Sequence, residues 1–100
     1  MKYLGWYYLD ELNNPQPCFT DEDMKKSGKQ KRIARTEVGE IVISTVFLGL
    51  DHSTLNYGPV LFETMVFGGK YDQWGKRYSF YEDSLKGHER TVQAIEWLED

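Results

Sequence analysis

The clearest signal of the fold is the stretch Ile41-Val42-Ile43-Ser44-Thr45-Val46-Phe47-Leu48. Its pattern is repeated in Val60-Leu61-Phe62-Glu63-Thr64-Met65-Val66-Phe67. Both stretches are rich in the β-branched and aromatic residues that suit a pleated sheet. In both, each of the two alternating sets of positions is largely apolar. This is typical of a strand that lies in the middle of a sheet and is covered on both faces. We therefore predict two central strands over residues 41–48 and 60–67.

Weaker strands flank this pair. Residues 31–37 form a hairpin with residues 41–48, because Gly39 in the turn between them adopts a positive φ without steric cost. A short last strand is predicted over residues 76–78. The predicted fold class is α+β, with an antiparallel sheet of about four strands.

The start of the chain is aromatic and predicts a further strand that ends near Asp10. Two prolines follow, Pro15 and Pro17. Proline has no N–H to donate to a ladder, so we expect strand pairing to stop there.

A short helix is predicted near residues 20–27. The Thr20 hydroxyl can cap it by accepting from the amide of Asp23, and the acidic residues that follow Thr20 favour the positive end of the helix dipole. Gly28 is the expected stop.

A longer amphipathic helix is predicted at the C-terminal end. Ser79 and Glu82 have the spacing of a capping box, which predicts where this helix begins. Gly87 inside it indicates either a close approach to a neighbouring backbone or simple tolerance. The apolar stripe that should pack on one face of the sheet consists of Tyr81, Leu85, His88, Val92, Ile95 and Leu98.

One helix covers one face of the sheet, so the two central strands need a second cover. The N-terminal aromatic segment with its short helix is one candidate. A second copy of the protein is the other, because small domains bury a modest core and two-fold association is the commonest symmetric remedy. We expect a homodimer.

Composition restricts the class of protein. The chain has 100 residues, 40% of them hydrophobic and 28% charged, which fits one globular domain over residues 1–100. The net charge of −4 argues against nucleic acid as a partner. The most basic stretch, residues 25–35, has the composition of a phosphate-binding stripe, but we favour a structural role, in which its cations protect a strand edge from aggregation and are neutralised by the acidic helix cap nearby.

The expected location is the cytoplasm. Cys18 is the only cysteine and cannot form an intramolecular disulfide, which fits a reducing compartment. No export signal is visible, and the longest apolar run, residues 41–50, is about half the length that a membrane helix needs. The sequence therefore predicts no membrane association.

Four ionisable residues interrupt apolar surroundings and are candidates for chemistry. Glu63 lies in the middle of a strand, where a carboxylate is either solvated in a concavity or paired with a cation such as Arg35 or Arg77. The other three are Asp51, His52 and His88. Purely structural roles are the alternative: Asp51 would cap a turn, His52 would fill a gap in the packing, and His88 would be a hydrogen-bonded core residue.

If these residues converged, they would form an acid/base pair or a weak metal site, with His52, Glu63 and His88 as the catalytic candidates. No spacing demands this, and the sequence has no strong catalytic or phosphate-binding motif. We therefore predict neither a cofactor nor a metal.

Aromatic residues in polar loops are candidates for ligand contact. Tyr57, Tyr71 and Trp74 can stack on a flat ligand or a partner side chain, or they can fold back over the core. The predicted ligand-binding residues are Asp51, His52, Tyr57, Glu63, Trp74 and Arg77.

Several strings of residues resemble a group of short proteins of unknown function encoded by bacteriophages and by bacterial genomes. They are Ser44-Thr45-Val46-Phe47-Leu48-Gly49-Leu50-Asp51-His52, Leu61-Phe62-Glu63-Thr64-Met65-Val66-Phe67-Gly68-Gly69, Arg77-Tyr78-Ser79 and Gly87-His88. The resemblance covers about residues 32–88. The chain departs from the group at Gly58-Pro59, where a double proline is common, and at Phe80-Tyr81.

This resemblance implies a phage or prophage accessory protein. The leading hypothesis is a non-enzymatic binding module of the counter-defence type, which blocks or sequesters a host protein or a nucleotide-like signal. The alternatives are a small hydrolase with a histidine and carboxylate pair, and a structural or assembly component of the virion.

Overall fold

The computed structural model describes residues 2–54 and 58–99. A four-stranded antiparallel sheet in the order β3-β4-β5-β6 forms its centre, and β1 and β2 form a separate two-stranded sheet. The predicted α+β class is confirmed. The elements in chain order are β1 (Tyr7–Leu9), β2 (Pro15–Pro17), α1 (Asp21–Lys29), β3 (Arg32–Val38), β4 (Ile41–Phe47), β5 (Phe62–Phe67), β6 (Gly75–Tyr78) and α2 (Tyr81–Leu98).

The two central strands are β4 and β5, as predicted. Burial alternates along both of them, and α2 packs across the buried face of the sheet. The core formed there includes Ile43, Phe62 and Val66, which are almost completely buried. Removal of this apolar surface from water is the main contribution to the stability of the fold.

The opposite face of the sheet, here called the open face, consists of Val42, Ser44, Val46, Glu63, Met65 and Phe67. These side chains are half-buried, apart from Phe67, which is 42% exposed. In residues 2–54 and 58–99, no helix or strand packs over the open face, and β1 is the one helix or strand that α1 contacts. The N-terminal segment is therefore not the cover that one prediction assigned to it. It packs at the end of the sheet instead, where Leu9 meets Phe47 and Leu61.

The prediction that pairing stops at the prolines was wrong. Pro15 pairs with Leu9, and Pro17 pairs with Tyr7. Both strands of a two-stranded sheet are edge strands. A proline can therefore occupy a position whose N–H would point away from the paired strand, where no hydrogen bond is lost. The Asp10 carboxylate stabilises the turn between the strands by accepting from the backbone amide of Asn14.

The cap of α1 forms as predicted, but its stop does not. The Thr20 hydroxyl accepts from the amide of Asp23, and the Asp23 carboxylate accepts in return from the Thr20 amide. The helix continues past Gly28, which has room around it and keeps helical geometry, and it ends at Lys29, with Gln30 in the C-cap position. The Gln30 side chain bonds to both the N–H and the carbonyl of Leu9, which fixes the helix end against β1.

The predicted start of α2 was also wrong. The chain is still extended at Phe80, which occupies the N-cap position without a side-chain hydrogen bond, so Ser79 and Glu82 are one position out of register for a capping box. The predicted packing stripe is confirmed at His88 and Ile95. Leu98, however, is 45% exposed. The buried face also includes small residues that the apolar pattern missed, namely Ser84, Gly87 and Thr91.

Gly87 is explained by a close approach, although to a side chain and not to a backbone. A Cβ at this position would overlap the hydroxyl and the ring of Tyr78. The bare backbone of α2 therefore gives room for the last side chain of β6. No helix in the described ranges is long and apolar enough to cross a membrane.

Candidate functional site

Glu63 and Arg77 form an ion pair at the border of the open face. Their strands are paired in register, and Arg77 Nε lies 2.8 Å from Glu63 Oε2. This is one of the two predicted partners. The other, Arg35, lies beside Glu37 instead. The Glu63 side chain is 20% exposed and that of Arg77 is 51% exposed, so the pair is half-solvated and its net contribution to stability is small.

His88 lies on the other side of the sheet, in the interface between α2 and the strands. Its Nε2 is 2.9 Å from the Thr36 hydroxyl, and its Nδ1 is 2.7 Å from the Thr45 hydroxyl. Thr45 is in turn 2.6 Å from Thr64. Burial lowers the pKa of His88, so the imidazole is neutral at neutral pH. His88 is therefore a hydrogen-bonded core residue, which is the structural role that the sequence analysis favoured for it.

Asp51 holds the start of the loop that precedes β5. Its carboxylate accepts from the amides of Val60 and Ser53 and from the Ser53 hydroxyl. Partial burial would raise the pKa of this carboxyl, but these hydrogen bonds outweigh it and lower the pKa. His52 is exposed in the same loop. Tyr57, which was predicted to contact a ligand, lies outside the described residues.

The candidates for chemistry do not converge. Glu63 and His88 lie on opposite faces of the sheet, so they cannot share a proton or a reacting atom. The oxygens of Asp51 bind within its own loop and do not orient His52. In the part of the chain that the structure describes, no three His, Cys, Asp or Glu side chains lie close enough to hold a metal ion.

A cleft of about 820 Å³ lies between α2 and the edge strand β6, and we call it the α2/β6 cleft. One wall is a flank of α2, whose lining residues recur every three or four positions from Asp83 to Leu98. The other wall comes from β6 and from the loop before it. The floor is apolar, because the Tyr78 ring lies across Gly87 there. The Tyr78 hydroxyl is buried under this floor without a hydrogen-bond partner among the described residues.

The cleft is positively charged, although the whole chain is negatively charged. Lys86 and Arg90 project from α2, and Lys76 comes from the opposite wall, where its ammonium lies 5.8 Å from the centre of the Tyr78 ring. None of these three cations takes part in a salt bridge in residues 2–54 and 58–99. The lining contains one carboxylate, Asp83.

Aromatic side chains lie around the cleft. Trp74 is 44% exposed, Tyr71 is 38% exposed and Phe80 is 66% exposed. Each leaves part of a flat apolar ring available to a partner, and such rings contribute contact area at a small cost in conformational entropy. Of the predicted ligand-binding residues, the cleft brings together Trp74 and Arg77, and it leaves out Asp51, His52 and Glu63.

A second concavity, of about 610 Å³, lies between the C-terminal end of α2 and the turn that joins β3 to β4. Its lining includes Glu40, Glu96 and Glu99 and no cation. One oxygen of Glu99 already accepts from the backbone amide of Lys70. Its acidic lining gives no chemical reason to bind an anion, and its carboxylates do not form a metal site.

Sequence reasoning missed most of the cleft. Lys86 and Arg90 are four residues apart, on a flank of the helix next to the apolar stripe, and this spacing was a usable signal. Gly87 between them was a weaker signal, since a helical glycine can mark a close approach, as it does here, or simple tolerance, as at Gly28. The contribution of Lys76 depends on the sheet order, which the sequence does not state.

No protein-family model, no curated protein and no solved structure matches this chain. The predicted resemblance to a phage-encoded group therefore stays a prediction. The function has to be inferred from the geometry of the site.

Proposed function

We propose that this protein is a non-enzymatic binding module that takes up an anionic partner in the α2/β6 cleft. The observation that carries this proposal is a group of three cations, Lys76, Lys86 and Arg90, which have no salt-bridge partner among the described residues and lie in a concave site rimmed by aromatic rings. Like charges repel, so such a group in a chain of net charge −4 is best explained by a ligand of opposite sign.

The cations approach a ligand from both walls. Lys86 and Arg90 are one helical turn apart on α2, and Lys76 faces them from β6. A guanidinium can hold a carboxylate or phosphate through two parallel hydrogen bonds, and lysines add charge without that geometry. Trp74 offers a ring face for a flat or apolar part of the same partner.

Binding without catalysis is supported by what surrounds the candidate bases. His88 is neutral, buried and hydrogen-bonded to two threonines, and it faces away from Glu63. The hydrolase alternative needs a base and an orienting carboxylate within hydrogen-bond reach of one another. That arrangement is not present in residues 2–54 and 58–99.

The wider function that we propose is to block or sequester a component of a host cell. A small module with a positively charged cleft can do this by occupying the recognition surface of its partner. The phage origin, and the two classes of host component, a protein or a nucleotide-like signal, remain predictions from the sequence.

Titration followed by NMR tests the proposal with two anionic probes, a six-residue oligoglutamate and adenosine monophosphate. We expect at least one probe to shift the Trp74 indole and the amides of Lys86 and Arg90. The double variant Lys86→Glu/Arg90→Glu should weaken that binding about tenfold or more, which corresponds to about 1.4 kcal/mol.

A matched control exists on α1. Lys25 and Lys29 are also exposed and four residues apart, so Lys25→Glu/Lys29→Glu changes the net charge equally at a distant site. The control should bind like the unchanged protein. The proposal fails if neither probe binds, or if both double variants weaken binding to the same extent.

A further inference from the structure

We infer that the partner of the α2/β6 cleft is an extended, acidic peptide segment that adds to β6 as a fifth strand of the sheet. This inference rests on the proposed function and specifies its ligand. Three observations carry it: the free edge of β6, the length of the cleft, and the spacing of its cations.

The edge of β6 has backbone groups to offer. The Val66 amide donates to the Trp74 carbonyl, and antiparallel pairs exchange hydrogen bonds at every second residue. Lys76 therefore turns its N–H and C=O toward β5, while those of Gly75 and Arg77 point away from the sheet. β6 is the last strand on this side in the described part of the chain.

The opposite edge of the sheet is less suited to strand addition. β3 has a register irregularity between Arg32 and Ala34, and irregularities of this kind twist an edge away from new partners. The pairing of β6 with β5 is regular from Gly75 to Tyr78. Of the two edges, only that of β6 lies beside a positively charged cleft.

The cleft has the length of an extended chain. Its lining on α2 runs from Asp83 to Leu98, which is about 22 Å at 1.5 Å per residue. An extended peptide rises about 3.3 Å per residue, so about six or seven residues fill this length. A mononucleotide would occupy only part of it.

The cation spacing fits alternate side chains of an added strand. Every second residue of such a strand points toward the cleft, at intervals of about 7 Å. Lys86 and Arg90 are separated by about 6 Å along the axis of α2. Acidic residues at alternate positions would each meet a cation, and the backbone would bond to Gly75 and Arg77. This is the β-augmentation mode of peptide recognition, with side-chain charge as the source of specificity.

The experiment uses an acetylated and amidated six-residue peptide in which glutamate alternates with threonine. We expect it to bind and to protect the amides of Gly75 and Arg77 from hydrogen exchange. Two N-methylated versions, one methylated at the glutamates and one at the threonines, keep the charge of the peptide. Each removes the N–H groups on only one side of the strand.

One methylated peptide should lose about tenfold or more in affinity, because two or three backbone hydrogen bonds to β6 are removed. The other should bind like the parent. Strand addition is overturned if both methylated peptides bind equally well or equally poorly. Strand addition is also overturned if adenosine monophosphate, and not the peptide, binds in a manner that depends on Lys86 and Arg90. Each of these outcomes leaves the proposed function intact, because an anion still binds in the cleft. If no anionic probe reaches the cleft, the inference and the proposed function fail together.

Discussion

At the scale of single residues, His88 makes stability depend on pH. Its ring nitrogens are engaged by Thr36 and Thr45, and burial lowers its pKa in the folded protein. The unfolded chain has the ordinary imidazole pKa of about 6.5 and therefore binds the proton more readily. Stability is fully present above about pH 6.5 and is lost as the pH falls below it toward the folded pKa.

The prediction is a lower free energy of unfolding at pH 5.5 than at pH 7.5, measured by urea denaturation. Each unit of pKa difference contributes about 1.4 kcal/mol at most. His88→Gln removes the titrating group and should flatten this slope, whereas His52→Gln at an exposed position should leave it unchanged. An equal slope in all three proteins would contradict the assignment to His88.

The carboxylates change the free energy of unfolding at lower pH, so they do not interfere with the comparison between pH 5.5 and pH 7.5. The Asn14 amide lowers the pKa of Asp10, and the Phe19 amide lowers that of Asp23. Groups with depressed carboxyl pKa values contribute stability that is lost only as the pH falls below their unfolded values of about 4. The two windows are separate.

At the scale of elements, the contact between β6 and α2 depends on one missing side chain. Gly87→Ala would normally stabilise a helix by about 1 kcal/mol. Here the added Cβ would overlap Tyr78, so we expect a loss of about 2–3 kcal/mol or a displacement of α2 from β6. Thermal and urea denaturation measure the change.

Gly28→Ala is the matched control for this prediction. Gly28 also lies inside a helix, and a Cβ there would meet no atom within 4 Å. It should therefore stabilise the protein by about 0.5–1 kcal/mol. If both alanines were stabilising, close packing of Tyr78 on Gly87 would be wrong.

The same two elements show what the sequence predicts and what it does not. β-Branched and aromatic content, with apolar residues in both alternating sets of positions, was sufficient to predict β4 and β5, although in the described residues only one of their two faces is covered. The start of α2 was misplaced by one residue, because the chain is still extended at Phe80, so Ser79 lies before the N-cap position. The charged flank was missed because Lys76 joins Lys86 and Arg90 only after β6 is paired with β5.

The predicted site residues divide in the same way. Asp51 was expected to cap a turn and His88 to be a hydrogen-bonded core residue on the helix stripe. Both residues have these roles in the structure. Glu63 was predicted to pair with Arg77 or Arg35, and only the strand register decides between them. A binding cleft between a strand edge and a helix depends on the complete fold, so local patterns predict only single members of it.

At the scale of the whole molecule, the two faces of the sheet have different environments. α2 covers one face, and the open face keeps Val42, Val46 and Met65 half-buried and Phe67 exposed. Both cations and carboxylates lie around these residues, in the pairs Arg35–Glu37 and Glu63–Arg77. A surface that carries both signs can meet a copy of itself without a net repulsion.

We therefore predict that the protein forms a homodimer through its open faces. Two sheets can pack face to face at about 10 Å, and a two-fold axis brings the same patch of each copy together. Light scattering at increasing concentration should give a mass that approaches twice the 11.8 kDa mass of the chain.

Phe67→Lys should shift the protein to the monomer, because it places a cation in the apolar contact. Phe19→Lys makes the same change at another exposed phenylalanine, outside the open face, and should leave the dimer intact. A mass of one chain at about millimolar concentration would contradict the dimer. It would leave the α2/β6 cleft unaffected, because the cleft lies on the face of the sheet that α2 covers.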